Sequence, residues 1–104
     1  MNEKRLLELV EKNKIIHIED DDAQQKIWDE MISILSENIN ETIEFLNSAS
    51  KDEIYYISSV YDDLSEIFKS IKLIECMEKN AQRTGVDCDA DIKFAKEALN
   101  QTSN

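Results

Sequence analysis

With 104 residues, a net charge of -11, 41% hydrophobic and 34% charged side chains, the chain has the composition of one globular domain and is too short for two. Its excess of carboxylates is repelled by phosphate backbones and anionic lipid, which sets nucleic acid and membrane aside as partners and favours a basic protein. A single glycine and no proline exclude a Gly-rich phosphate loop and point to helices joined by short polar turns.

The opening MNEKRLLELVEKNK is charged throughout and lacks the apolar run of a signal peptide. Nothing along the chain approaches the roughly 18 apolar residues of a membrane span, so a cytoplasmic protein is expected. A first helix is predicted over residues 3–13, with Asn2 as its N-cap and Leu6, Leu7, Leu9 and Val10 as an apolar patch. The following KIIHI, residues 14–18, reads either as the end of that helix or as a short extended link. His17 lies in it, and no second histidine exists to complete a metal site.

The acidic run from Glu19 to Asp22 should supply an aspartate cap for a helix beginning near Ala23 and predicted over 23–37. Ile27, Trp28, Met31, Ile32, Ile34 and Leu35 cover an arc of roughly 160° on it, wider than a surface helix needs, which makes it the central helix. Residues 38–40 are expected to interrupt it, with Asn40 capping a second piece over 41–48 that carries Ile43, Phe45 and Leu46. An unbroken helix over 23–48 is the alternative.

Ser50 and Glu53 have the spacing of a capping box, which predicts a helix over 51–69. At 3.6 residues per turn, Ile54, Ile57, Tyr61, Leu64 and Phe68 share one face, flanked by Val60 and Ile67. Tyr55, Tyr56, Ser59, Asp62, Asp63 and Glu66 occupy the opposite arc. Ser70 opens the next helix, 71–83, almost without a loop, and Gly85 is its stop. Ile74, Met77 and Ala81 form its stripe. Asp89 is the expected cap of a last helix over 90–100, with Ile92, Ala95 and Leu99 inward. The fold class that results is all-α: one domain of five or six short helices stacked in antiparallel pairs, with residues 1–18 as N-terminal helix and link, 19–100 as helical core, and 101–104 as a frayed tail.

Little in this sequence serves catalysis or metal binding. Cys76 and Cys88 read as thiols without CxxC spacing, the first buried and the second incidental. Asp87, Asp89 and Asp91 fall at positions one, three and five of a calcium loop, but Ile92 and Ala98 stand where the loop needs glycine and glutamate. No nucleophile has a histidine base in sequence reach. The expectation is no enzyme, no metal and no cofactor.

The arc of Tyr55, Tyr56, Ser59, Asp62, Asp63 and Glu66 has two readings. One is a solvated face whose tyrosines lean on the preceding helix. The other is a partner-binding surface, with tyrosine supplying contact area and carboxylates steering a basic protein. The segments WDEMISIL, NETIEFLNSASKDEIYYISSVYDDLSEIFKS, KLIECMEK and DADIKFAKEAL resemble a group of small, acidic, all-helical bacterial immunity proteins that accompany polymorphic or contact-dependent toxins. The resemblance spans Ile27 to Leu99. It implies a cytoplasmic protein, monomeric or weakly dimeric, that neutralises a cognate basic toxin such as a nuclease by tight binding. The alternatives are an acidic helical adaptor or homo-oligomerisation module, and a nucleic-acid mimic.

Overall fold

The computed structural model describes residues 1–16 and 20–100, and among these the helix boundaries follow side-chain caps. The helices are α1 (Glu3–Ile15), α2 (Asp21–Leu35), α3 (Ile39–Ser48), α4 (Lys51–Ile57), α5 (Tyr61–Phe68), α6 (Ile71–Thr84) and α7 (Asp89–Asn100). A 3-10 turn, Ser58–Val60, joins α4 to α5, so the chain forms six rods of which the fourth is broken. The described residues contain no strand, in agreement with the all-α reading.

Every helix start except that of α5, which continues from the 3-10 turn, offers a side-chain oxygen to a backbone N–H there. Asn2 accepts from the Arg5 amide at 3.1 Å, Asp20 from Ala23 at 3.1 Å, and Ser70 from Leu73 at 3.2 Å. Ser50 and Glu53 close the expected reciprocal box, at 3.2 and 2.9 Å. Two caps differ from the sequence reading. Asn38, not Asn40, accepts from Glu41 at 3.1 Å, because α2 already ends at Leu35 and the link is over by residue 38. Asp89 is the first residue of α7 rather than its cap. Its own amide is held by the Asp87 carboxylate at 3.2 Å, while the Cys88 carbonyl accepts the first helical bond from Ile92.

Three further boundaries are corrected. The first helix runs two residues beyond Asn13, and the second begins at Asp21. The predicted rod 51–69 is not continuous. The Ser58 hydroxyl donates to the Tyr55 carbonyl at 2.7 Å, a local bond that competes with the helical ladder, and two serines before β-branched Val60 have little helix propensity to resist it. The link expected through His17, Ile18 and Glu19 and the tail expected at residues 101–104 lie outside the described residues.

Two consecutive pairs of rods run antiparallel. Arg5 meets Glu30 and Asn13 meets Gln24 between α1 and α2, and Lys96 meets Glu78 at 2.7 Å between α6 and α7. Two pairs that are one rod apart lie parallel. Ser65 and Lys69 of α5 donate to the Ala95 and Ala98 carbonyls of α7, while Asn80 and Arg83 of α6 reach Asn47, Leu46 and Ala49 at the end of α3. The ten expected core residues, Ile27, Met31, Ile34, Leu35, Ile54, Ile57, Tyr61, Leu64, Ile74 and Met77, are all buried. Cys76 is buried as expected, but Cys88 is buried too, and desolvation pushes its thiol up to about 11. Val86 and Cys88 both join the core cluster just ahead of α7, so the place of Cys88 is structural.

Candidate partner-binding face

Alternation along the α4–α5 rod divides its surface sharply. Ile54, Ile57, Val60, Tyr61 and Leu64 are fully enclosed, whereas Tyr55, Ser59, Asp62, Asp63 and Glu66 are exposed and Tyr56 is half-buried. Of the two apolar flanks only Val60 joins the core; Ile67 is half exposed. Helical phase accounts for most of this, but the 3-10 turn in the middle of the rod spreads the six site residues over three neighbourhoods.

Tyr55, Tyr56 and Ser59 line a groove of about 390 Å³. The two rings meet edge-to-face with centroids 4.9 Å apart. Asn13 and Ile16 from the end of α1, Gln24 and Trp28 from α2, and Asp87 and Asp91 from the start of α7 complete its walls. Asp62 and Glu66 instead flank a shallower hollow with Phe94, Glu97 and Ala98 of α7. Phe94 is about half exposed there, an aromatic ring between carboxylates. Asp63 points towards α2, where Asp29 adds to its surroundings of like charge.

The electrostatics of this face are one-sided. Partial burial, then the neighbouring charges of Asp62, Glu66 and Asp29, raise the Asp63 carboxyl above its ordinary range. Burial also raises Asp91; the nearby Ser58 hydroxyl pulls it back, and Asp62 pushes it up again. None of the ion pairs formed among the described residues reaches Asp29, Asp62, Asp63, Glu66, Asp87 or Asp91. The cations that do form ion pairs among the described residues form them elsewhere. Arg5 holds Glu30 and Glu8, Lys14 holds Glu11 and Asp52, and the N-terminal ammonium holds Glu41.

Sequence reasoning found the α4–α5 part of the face, and Asp29 as an extension of its acidic field, and missed what packing adds to it: Trp28 from α2, and Asp87, Asp91 and Phe94 from α7. Phe94 had a usable signal, since it stands beside the Ile92, Ala95, Leu99 stripe rather than on it. Among the described residues no group of three His, Cys, Asp or Glu is placed to hold a metal ion, and no helix is long and apolar enough to cross a membrane. Comparisons with protein-family models, curated proteins and solved structures found no match to this chain.

Proposed function

We propose that this protein is an immunity-type inhibitor, which neutralises a cognate basic toxin, such as a nuclease, by laying the α4–α5 and α7 face against it. The observation that carries the reading is a set of carboxylates that no ion pair among the described residues reaches, placed beside exposed aromatic rings at Tyr55 and Phe94. Uncompensated charge speeds the encounter with an oppositely charged protein, and rigid aromatic side chains prolong the complex once formed. The resemblance of Ile27 to Leu99 to immunity proteins supports the same reading. An adaptor or a nucleic-acid mimic would use the acidity, but neither gives the aromatic rings a task.

The test has two stages. Expression of the neighbouring reading frame with and without this protein should separate arrest from growth; growth in both cases, or arrest in both, contradicts the proposal. Binding kinetics then locate the face. Replacing Asp62 and Asp63 together should slow association, with the difference shrinking as salt rises, because fields are screened within about 10 Å at 0.1 M. Replacing Tyr55 or Tyr56 by alanine should leave association nearly unchanged and speed dissociation by roughly tenfold or more, the consequence of losing a buried anchor. Unaltered rates in all of these variants would move the interface off this face.

A further inference from the structure

The groove beside the 3-10 turn has a more specific chemistry than the acidic face around it. Its walls combine aromatic groups, Tyr55, Tyr56 and Trp28, with two carboxylates, Asp87 and Asp91, and no lysine or arginine is among the described residues that line it. Tyr55 is 59% exposed, so its ring is available at the rim, and the edge-to-face contact with Tyr56 fixes the angle between the two rings. Asp91 is partly withdrawn from water in the first turn of α7, and its carboxylate lacks an ion-pair partner. Aromatic faces attract cations through their quadrupole, and a carboxylate in a partly dry cleft gains more from a cation than one in open water.

We propose that this groove is a socket for an arginine side chain presented by the basic partner. Arginine fits better than lysine, because a planar guanidinium stacks on a tyrosine while its forked N–H groups reach a carboxylate. Lysine has a compact, strongly hydrated charge that would have to give up water to enter. The inference rests on the reading of a basic protein partner, and it names the group by which that partner is gripped.

The test needs no toxin. Trp28 is the one tryptophan of the chain, so its indole resonance and fluorescence report on the groove without overlap. The probe is a blocked Gly-Arg-Gly peptide, compared with the same peptide carrying citrulline, which keeps the shape and removes the charge. The arginine peptide should shift the Trp28 indole and the Tyr55 and Tyr56 ring resonances saturably. Citrulline should bind about tenfold or more weakly, since a charged hydrogen-bonding partner is lost. Asp91→Asn should weaken the arginine peptide similarly. Asp87→Asn and Tyr55→Leu, both at exposed positions, give the same reading if Asp91→Asn disturbs α7. A response equal for citrulline, no saturable response, or shifts confined to the α5 carboxylates would each overturn the socket. Saturable peptide binding in a protein that fails to protect against the toxin would overturn neutralisation and leave the socket standing. Protection without peptide binding would do the reverse.

Discussion

The seam between α3 and α6 and the face of α4–α5 and α7 handle charge in opposite ways. At the seam Arg83 is spent inside the fold: its guanidinium donates to the Leu46 and Ala49 carbonyls at 3.0 and 2.7 Å and to the Asn80 side chain at 2.7 Å. Those carbonyls belong to the end of α3, where a helix leaves acceptors unsatisfied and favours a cation. Asn80 continues the network to Asn47 at 2.8 Å and to the Cys76 carbonyl at 2.9 Å. The Arg83 Nε and Nη2 and the Asn80 Nδ2 are all spent on internal acceptors. On the opposite account stand Asp62, Asp63 and Glu66, close enough to repel one another and joined to no cation among the described residues. A chain with 12 basic residues against 23 acidic ones cannot neutralise every carboxylate. Part of the shortage falls beside exposed aromatic rings, where carboxylates outside any ion pair among the described residues share hollows with Tyr55 and Phe94.

The contrast can be broken first from below. Leu64 is fully enclosed on the inner side of α5, directly behind the acidic face. Leu64→Ala should destabilise the domain by about 2–5 kcal/mol, through lost burial and the cavity left behind. Urea unfolding measures it, and a loss under roughly 0.5 kcal/mol, typical of exposed sites, would mean that α5 does not anchor the core. Arg83→Met comes next. It removes hydrogen bonds to two carbonyls while keeping much of the aliphatic stem, and should cost about 1–3 kcal/mol. Unfolding with an unchanged midpoint would show that water replaces the guanidinium at the end of α3 without loss.

How much of this was legible in the sequence depends on how local each feature is. Asn2, the aspartate before α2, Ser50 with Glu53, Ser70 and Gly85 act within a turn of their own position, and each was readable where it stands. The inward stripe of α4–α5 was readable because its periodicity survives the 3-10 turn. The turn itself was not, because it depends on the Ser58 hydroxyl choosing the Tyr55 carbonyl, a bond that a serine inside a strong apolar period does not announce. Lys69 is similar. It takes the left-handed conformation, φ 49°, that usually favours glycine, and its Nζ reaches the Ala98 carbonyl at 2.7 Å. That compensation exists only once α7 lies alongside. The groove was hidden for the same reason, since its walls come from α1, α2, α4 and α7 and no stretch of sequence contains them together.

The smallest effect bears most directly on the central claim, that the carboxylates of α5 do no work for the fold. Asp62 and Asp63 both sit in the first turn of α5, where the helix dipole favours negative charge. At Asp63 burial and like charges outweigh the dipole, so Asp62 is left aside and Asp63 kept. Glu66 sits in the last turn, where the dipole disfavours it, and Asp63 binds its proton more tightly in the folded chain than the ordinary value of 3.8 allows. Between the unfolded and folded pKa of Asp63 the native state holds more protons, so its stability falls as pH rises through that window just above 3.8, and the whole penalty is present at neutral pH. The measurement is the thermal melt of the double variant Asp63→Asn, Glu66→Gln beside the parent at pH 7, in low and in high salt. The variant should melt higher in low salt, by about 2–4 °C if the gain reaches the roughly 0.5 kcal/mol usual for exposed sites, and the gap should narrow as salt is added. A variant that melts lower than the parent in low salt would mean that these carboxylates hold the fold together, and would contradict the account.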